Sequence, residues 1–188
     1  MSKILVRDPS QQRGFTLVEL MVVVVIVGVL ATLGTYGVSR YISSSKTSEA
    51  LQLIGSIKAA QESYKDETFQ YKNVSTLLTN YYPTNSTPGQ AKVAWGGAPD
   101  DIAANWREIG VQPSGPTLFV YACVAGGPAV AVVATGSDIL IGSWPTAALG
   151  VPWYVIKATA DLDGAPAKDS VYVGTSFTSE IFSANEGD

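Results

Sequence analysis

The side chain with the clearest chemical consequence in this chain is that of Glu19, a single acid inside a long apolar run. The run starts at Phe15, directly after Gly14, and residues 20–38 contain no charge. A carboxylate among apolar side chains is unfavourable by several kcal/mol, so it normally has a cationic partner or reaches a membrane surface. Glu19 is therefore the residue for which we most expect a functional role.

Other groups that could do chemistry are sparse. The chain has no histidine, which removes histidine acid–base chemistry and the usual zinc sites. Asp161, Asp163 and Asp169 could supply oxygen ligands for calcium, but Asp-x-Asp-Gly is also a common hairpin turn. No glutamate follows at the twelfth position that a calcium loop of the EF-hand type would need. We favour the turn, keep the three carboxylates as candidate metal ligands, and expect no cofactor and no enzymatic activity.

The apolar run has the length of a membrane span. Residues 20–38 can cross roughly 30 Å of hydrocarbon at about 1.5 Å per helical residue. Its consecutive valines favour a strand in water, but in lipid a helix satisfies every backbone amide. Lys3, Arg7 and Arg13 precede the run, so the positive-inside rule places the leader in the cytoplasm and exports the rest. An ordinary secretory signal would carry small residues after the run, whereas here the glycine precedes it.

The junction itself resembles a known type of signal. Residues 13–21, Arg-Gly-Phe-Thr-Leu-Val-Glu-Leu-Met, run into four valines. This resembles the class III signal of the type IV filament family, which comprises type IV pilins and the related pseudopilins of type II secretion. The resemblance implies that a prepilin peptidase cuts between Gly14 and Phe15 and methylates the new Phe15 amine. It also implies that Glu19 of one subunit meets the Phe15 amine of its neighbour and sets the register of assembly.

The helix is expected to continue beyond the membrane. Apolar residues recur at spacings of three and four between residues 50 and 64, which predicts an amphipathic helix with one face for a sheet. With the apolar run it gives one helix over residues 15–66. The predicted stripe consists of Ala50, Leu51, Leu53, Ile54, Ile57, Ala60 and Tyr64.

Three glycines, Gly28, Gly34 and Gly37, lie inside this predicted helix. Each destabilises a helix interior by about 0.5–1 kcal/mol relative to alanine. One interpretation is close packing between membrane helices. The other follows from the resemblance, because pilin helices locally unwind in this region when packed into a filament. Many pilins have a proline at the site of Tyr36, so both interpretations stay open.

The second half of the chain has the pattern of a sheet. Residues 69–116 are rich in Gly and Pro, and we expect Trp95, Trp106 and Ile109 to hold this connection against the sheet, with a short helix at 102–108. Gly126-Gly127-Pro128 predicts a hairpin turn between the first two strands. The predicted strands are 117–125, 129–135, 152–160 and 170–177, with a last stretch near 180–183.

The predicted fold class is therefore α+β. A long N-terminal helix, with a transmembrane half and an amphipathic half, packs on a C-terminal antiparallel sheet of about four strands, which is the pilin fold by resemblance. The predicted segments are a leader at 1–14, a membrane or filament-core helix at 15–38, an amphipathic half at 39–68, a connecting loop at 69–116, and the sheet and C-terminal region at 117–188.

Charge and cysteine content restrict the function further. The net charge of −4 gives no electrostatic basis for nucleic-acid binding. Cys123 is the single cysteine and permits no internal disulfide, a departure from the C-terminal cysteine pair of many pilins. Its apolar neighbours favour a buried core thiol over a reactive or intermolecular one.

We therefore expect a structural protein, a pilin that polymerises by helix bundling and supports adhesion, motility or uptake. Its expected partners are copies of itself, the prepilin peptidase, the assembly machinery and the inner membrane, before export to an extracellular pilus or a periplasmic pseudopilus. The alternatives are a pseudopilin of type II secretion and, in another class, a single-pass membrane-anchored binding domain.

Overall fold

The computed structural model describes residues 14–84, 89–96, 101–132, 145, 147–162 and 169–185. These residues form a long N-terminal helix, a short second helix and one four-stranded antiparallel sheet. The predicted α+β class with a long apolar helix and four antiparallel strands is confirmed. The elements are α1 (Leu17–Thr68), α2 (Asp101–Glu108), β1 (Val120–Gly126), β2 (Trp153–Ala160), β3 (Ser170–Thr175) and β4 (Ile181–Ala184).

The chain divides into two compact units, Met1–Tyr41 and Ile42–Asp188. The second unit, which we call the head, contains the end of α1, all of α2 and the sheet. The described part of the first unit is helical from Leu17 onward.

The predicted stripe on α1 forms one side of the head core. Ala50, Leu53, Ile54 and Ile57 are buried with residues of β1, β2 and β3. A side chain on Gly174 in β3 would place its Cβ 2.9 Å from Ile54 Cγ2, so a glycine is needed for this close approach. Leu51 was predicted to join the stripe, but it is 38% exposed. It falls beyond the edge of the face that meets the sheet, so this prediction is wrong.

The sheet has the strand order β1-β2-β3-β4 with every neighbouring pair antiparallel. All eight residues of β2 are buried, since β2 lies between β1 and β3 and both faces of the sheet are covered. One face packs on α1. The other face holds a second apolar cluster of Leu78, Ala122, Val124, Val132, Trp153, Val155, Val171 and Val173.

The predicted hairpin around Gly126-Gly127-Pro128 is wrong. β1 pairs with β2, and of the predicted second strand the described residues 129–132 form a single bridge, Ala131 with Ala148. Residues 129–131 are exposed, whereas β2 is fully buried, so pairing β1 with β2 removes far more apolar surface from water. The register places Trp153 opposite Gly126, where an added Cβ would lie 2.5 Å from the indole ring.

The connection between α1 and β1 covers the free edge of β1. Val74 and Ser75 donate backbone N–H groups to the Cys123 carbonyl oxygen at 3.2 and 2.7 Å. Tyr82 and Tyr121 exchange backbone hydrogen bonds of 2.8 and 2.7 Å. These contacts satisfy the edge groups of β1 that would otherwise be able to pair with another chain.

Aromatic side chains hold this connection in place, as the sequence predicted. Trp106 is fully buried on α2, and Ile109 is also buried in the core. Trp95 contacts Trp106 and Tyr121 of β1 edge to face, with ring centroids 5.5 and 6.0 Å apart. The predicted short helix at 102–108 is present as α2 and carries Trp106 into this cluster.

Candidate processing and assembly site

The helix begins with a capping box formed by Thr16 and Glu19. The Thr16 N–H donates to Glu19 Oε2 at 2.9 Å, and the Glu19 N–H donates to Thr16 Oγ1 at 3.2 Å. The Thr16 hydroxyl also donates to Oε2 at 2.8 Å. This reciprocal pair satisfies backbone donors that have no partner inside the helix. The sequence reasoning missed it, although Thr-x-x-Glu before an apolar run is its recognised signal.

The position of Glu19 in the capping box is also favourable for its negative charge. The N-terminus of a helix carries partial positive charge, and a carboxylate in the first turn is stabilised there. Both hydrogen bonds that the described residues give this carboxylate end on Oε2. Its other oxygen, Oε1, can therefore accept from a further cationic donor while the cap stays intact.

The predicted cleavage junction lies just before this cap. Gly14, Phe15 and Thr16 are outside the helix, and Phe15 is exposed. A Cβ added to Gly14 would meet no atom within 4 Å among the contacts that the structure describes. The fold of the subunit therefore sets no requirement for glycine at this position.

The apolar helix that follows is exposed to solvent in the part of the chain that the structure describes. Leu17–Val38, 22 residues with a mean hydropathy of 2.7, is the one helical segment among the described residues that is long and apolar enough to cross a membrane. None of it is buried. A continuous apolar surface of this size needs lipid or other helices to cover it.

Comparison with known proteins agrees with this geometry. The family model described as the prokaryotic N-terminal methylation motif matches residues 9–35. The type IV major pilin protein PilA of Myxococcus xanthus is 38% identical over 72 residues, which are 38% of this chain and 33% of that protein. The N-terminal part of this chain is therefore type IV pilin-like.

Two further relatives cover both branches of that family. The type II secretion system core protein G of Pseudomonas aeruginosa is 46% identical over 68 residues, 36% of this chain and 48% of that protein. The fimbrial protein EcpC of Eikenella corrodens is 43% identical over 53 residues, 28% of this chain and 35% of that protein. The chain thus spans about a third to a half of the length of these relatives. No solved structure matches it.

These matches support the coarse features expected from the sequence. The motif and the apolar helix support membrane anchoring of the pilin-like chain. The matched names indicate a family of structural rather than enzymatic proteins.

The three glycines lie in unbroken helix. α1 continues through Gly28, Gly34 and Gly37, and a Cβ added to any of them would meet nothing within 4 Å among the described contacts. Thr32 donates its hydroxyl to the Val29 carbonyl oxygen at 2.7 Å, and Thr35 donates to that of Thr32 at 2.9 Å. The role of the glycines in packing or unwinding stays a prediction about the assembled state.

The candidate calcium ligands lie on either side of the connection between β2 and β3. Asp163 falls outside the described residues, while Asp161 and Asp169 are half-buried. The Asp169 carbonyl oxygen accepts from Asn185 Nδ2 at 3.2 Å. Among the residues that the structure describes, no group of three acidic, histidine or cysteine side chains could hold a metal ion. Calcium binding stays a prediction.

Cys123 is a core thiol, as predicted. It is fully buried, and burial raises its pKa to about 12. Gln61 Nε2 lies 3.2 Å from its sulfur and also donates to the Lys72 carbonyl oxygen at 2.8 Å, while Gln61 Oε1 accepts the Lys72 N–H at 2.9 Å. This buried glutamine ties α1 to the connection and to β1, and the sequence reasoning missed it because its polar type suggests a surface position.

Proposed function

We propose that this chain is a structural subunit of a type IV pilus-like filament. A prepilin peptidase cuts it between Gly14 and Phe15 and methylates the Phe15 amine, and the subunit then leaves the inner membrane for the filament. The observation that carries the proposal is the wholly exposed apolar segment Leu17–Val38. Its single carboxylate, Glu19, lies in the first turn and forms the helix cap with Thr16. Lipid can cover such a helix, and so can a bundle of identical helices.

Glu19 has the role of setting the subunit register. In the membrane it lies within one turn of the helix start and can reach the interface. In a helix bundle that access to water is lost, and the α-amine of a neighbour's Phe15 is the available cation. Glu19 Oε1 accepts a hydrogen bond from this amine, while Oε2 keeps its hydrogen bonds with Thr16 in the helix cap. Since an unpaired buried charge is strongly unfavourable, subunits settle at the stagger that pairs the two groups.

A second candidate is a pseudopilin of type II secretion, which the 46% identity to core protein G favours. The two functions share processing and helix bundling, and they differ in where the fibre ends. A pilus extends from the cell and supports adhesion, motility or uptake, whereas a pseudopilus stays in the periplasm. The 69–116 connection with its own helix and aromatic cluster favours the pilus, since it gives the head a larger surface to present.

The decisive experiment is isolation of sheared surface filaments followed by intact-mass measurement of their main subunit. We expect this chain, starting at Phe15 and carrying one N-methyl group. Recovery of the chain only in periplasmic fibres would identify the pseudopilin. A processed chain that forms no fibre in either place would instead identify a membrane-anchored binding domain and refute the proposal.

A further inference from the structure

The residue that ends α1 is in an unfavourable conformation for its type. Phe69 has a φ of 62°, and its N–H donates to the Lys65 carbonyl oxygen at 2.7 Å. This is the left-handed cap that usually takes glycine or asparagine, because a Cβ is disfavoured there. An aromatic residue at this position is therefore destabilising relative to the residues that the cap prefers.

The Phe69 side chain packs against neither of the two apolar clusters that the described residues form. It is 82% exposed, more than any other large apolar side chain that the structure describes in the head. Hydrophobic contact with an earlier residue, which often accompanies such a cap, would require burial of the ring. A strained backbone that presents an unburied aromatic ring points to a contact outside the subunit.

The same head carries a groove that fits such a ring. It has a volume of about 630 Å³ and lies between one face of α1 and the extended residues 110–117. Leu53 and Ala60 line its helical side, and Val111, Pro113 and Pro116 line the other side. This space is larger than one benzyl group, so it also accommodates the backbone on either side of Phe69.

We propose that Phe69 of one head inserts into this groove on a second copy of the chain, so that heads connect in head-to-tail order. This inference rests on the proposed filament function. A projecting apolar residue and a matching pocket at different places on one surface form a heterologous contact, which repeats without closing and produces a fibre. Because α1 rises about 1.5 Å per residue, Phe69 lies about 20 Å along the helix from Ser56 in the groove, so the contact links axially displaced subunits.

Charge supports a second copy as the occupant. Asp66 and Glu67 precede Phe69 on the exposed end of α1. The nearby Lys65 and Lys72 are paired with Glu62 and Glu108, so the carboxylates of Asp66 and Glu67 leave the surroundings of Phe69 negative. In the groove the cation is Lys92, whose side chain is 57% exposed and contacts Glu49 at 2.7 Å. Glu49 also accepts the Leu118 N–H at 2.6 Å. An ammonium group has three N–H donors, so Lys92 can bind a carboxylate of the second copy and keep its ion pair with Glu49.

The first test is Phe69→Asn in the full-length chain. Asparagine tolerates the left-handed conformation, so the unfolding midpoint of the purified chain in detergent should be unchanged or higher. The yield of sheared filaments should fall at least tenfold. Leu77→Asn is the matched control, since Leu77 is exposed but lies outside the left-handed region, and its filament yield should equal that of the wild type. A normal filament yield from Phe69→Asn would overturn the proposal.

The second test locates the groove. Gln70→Cys and Ser114→Cys are expressed together in one strain and the filaments are oxidised; Cys123 is buried and does not compete. We expect a disulfide-linked dimer in the mixed filaments and none when either variant is expressed alone. Filaments without this dimer would overturn the inference while leaving the proposed function intact.

Filaments that form normally with Phe69→Asn but lose adherence would assign Phe69 to a foreign partner. A wild-type chain that forms no fibre would refute the proposed function itself.

Discussion

Replacement of Glu19 can separate its helix cap from its proposed role in setting the register, because glutamine can keep the cap. Glu19→Gln retains an amide oxygen that can accept the Thr16 N–H, so the capping box survives and the negative charge is lost. Glu19→Ala removes the cap and the charge together. Both variants should insert normally into the membrane, because each makes the span more apolar.

The expected magnitudes of the two effects differ. Loss of the helix cap alone destabilises by about 0.5–2 kcal/mol. Removal of one partner from a buried ion pair typically destabilises by about 3–5 kcal/mol, which weakens each subunit contact by about a hundredfold to several thousandfold. If the ion pair with the neighbour's Phe15 amine sets the register, Glu19→Gln should abolish filaments almost as completely as Glu19→Ala.

The assay is the amount of subunit in the sheared filament fraction, compared with the amount in the membrane. N-terminal sequencing of the membrane fraction is the control, since both variants must still start at Phe15. Thr16→Ala is a matched variant that weakens the cap and keeps the charge, and it should assemble at a reduced yield. Normal filaments from Glu19→Gln together with none from Glu19→Ala would show that Glu19 acts only as a helix cap.

Four further predictions test the junction and the core. Gly14→Leu should leave the head folded, because Gly14 lies outside the head and an added Cβ would meet no described atom within 4 Å, and intact-mass measurement should find the leader still attached. Leu53→Asp should abolish the thermal transition of the head in detergent by burying an unpaired charge, whereas the control Leu51→Asp, at an exposed position, should change stability by less than about 0.5 kcal/mol. Gln61→Leu should destabilise the head by about 1–3 kcal/mol in denaturant titrations, since it removes both hydrogen bonds that Gln61 makes with the part-buried backbone of Lys72. Because burial raises the Cys123 pKa from 9.0 to about 12, the native state resists ionisation; stability should decline as the pH rises from 9 towards 12, and thiol reagents at neutral pH should label Cys123 only after unfolding.

Local sequence patterns predicted the helices well, because their signals lie within a few residues of each other. The spacing of Leu53 and Ile57 identified the face of α1 that is buried. The apolar run identified the segment that could span a membrane. The capping box of Thr16 and Glu19 has an equally local signal. It was not predicted, because the charge of Glu19 was interpreted through a distant cationic partner and not through the nearby backbone.

The sheet was harder to predict because its pairing depends on residues that are far apart in the chain. Gly126-Gly127-Pro128 is a local turn signal, yet β1 pairs with β2, whose complete burial outweighs that signal. The burial of Gln61 depends on backbone groups that come close only after folding. The left-handed Phe69 has no signal in the sequence, since any residue other than glycine or asparagine argues against that conformation.

In the proposed function, the position of the capping box gives a reason for processing to come before assembly. Before cleavage, the nitrogen of Phe15 is a neutral amide, and the cations that precede it, Lys3, Arg7 and Arg13, belong to the leader. Cleavage converts this nitrogen into a charged amine one residue before the helix cap, beside the positive end of the helix dipole. That amine needs an anion, and Glu19 is the single acid of the apolar segment. An unprocessed subunit would therefore offer no charged amine at Phe15 to the neighbouring Glu19, and the same ion pair that sets the register would exclude it from the filament. Gly14→Leu subunits should accordingly be absent from filaments even when they are mixed with wild-type chains.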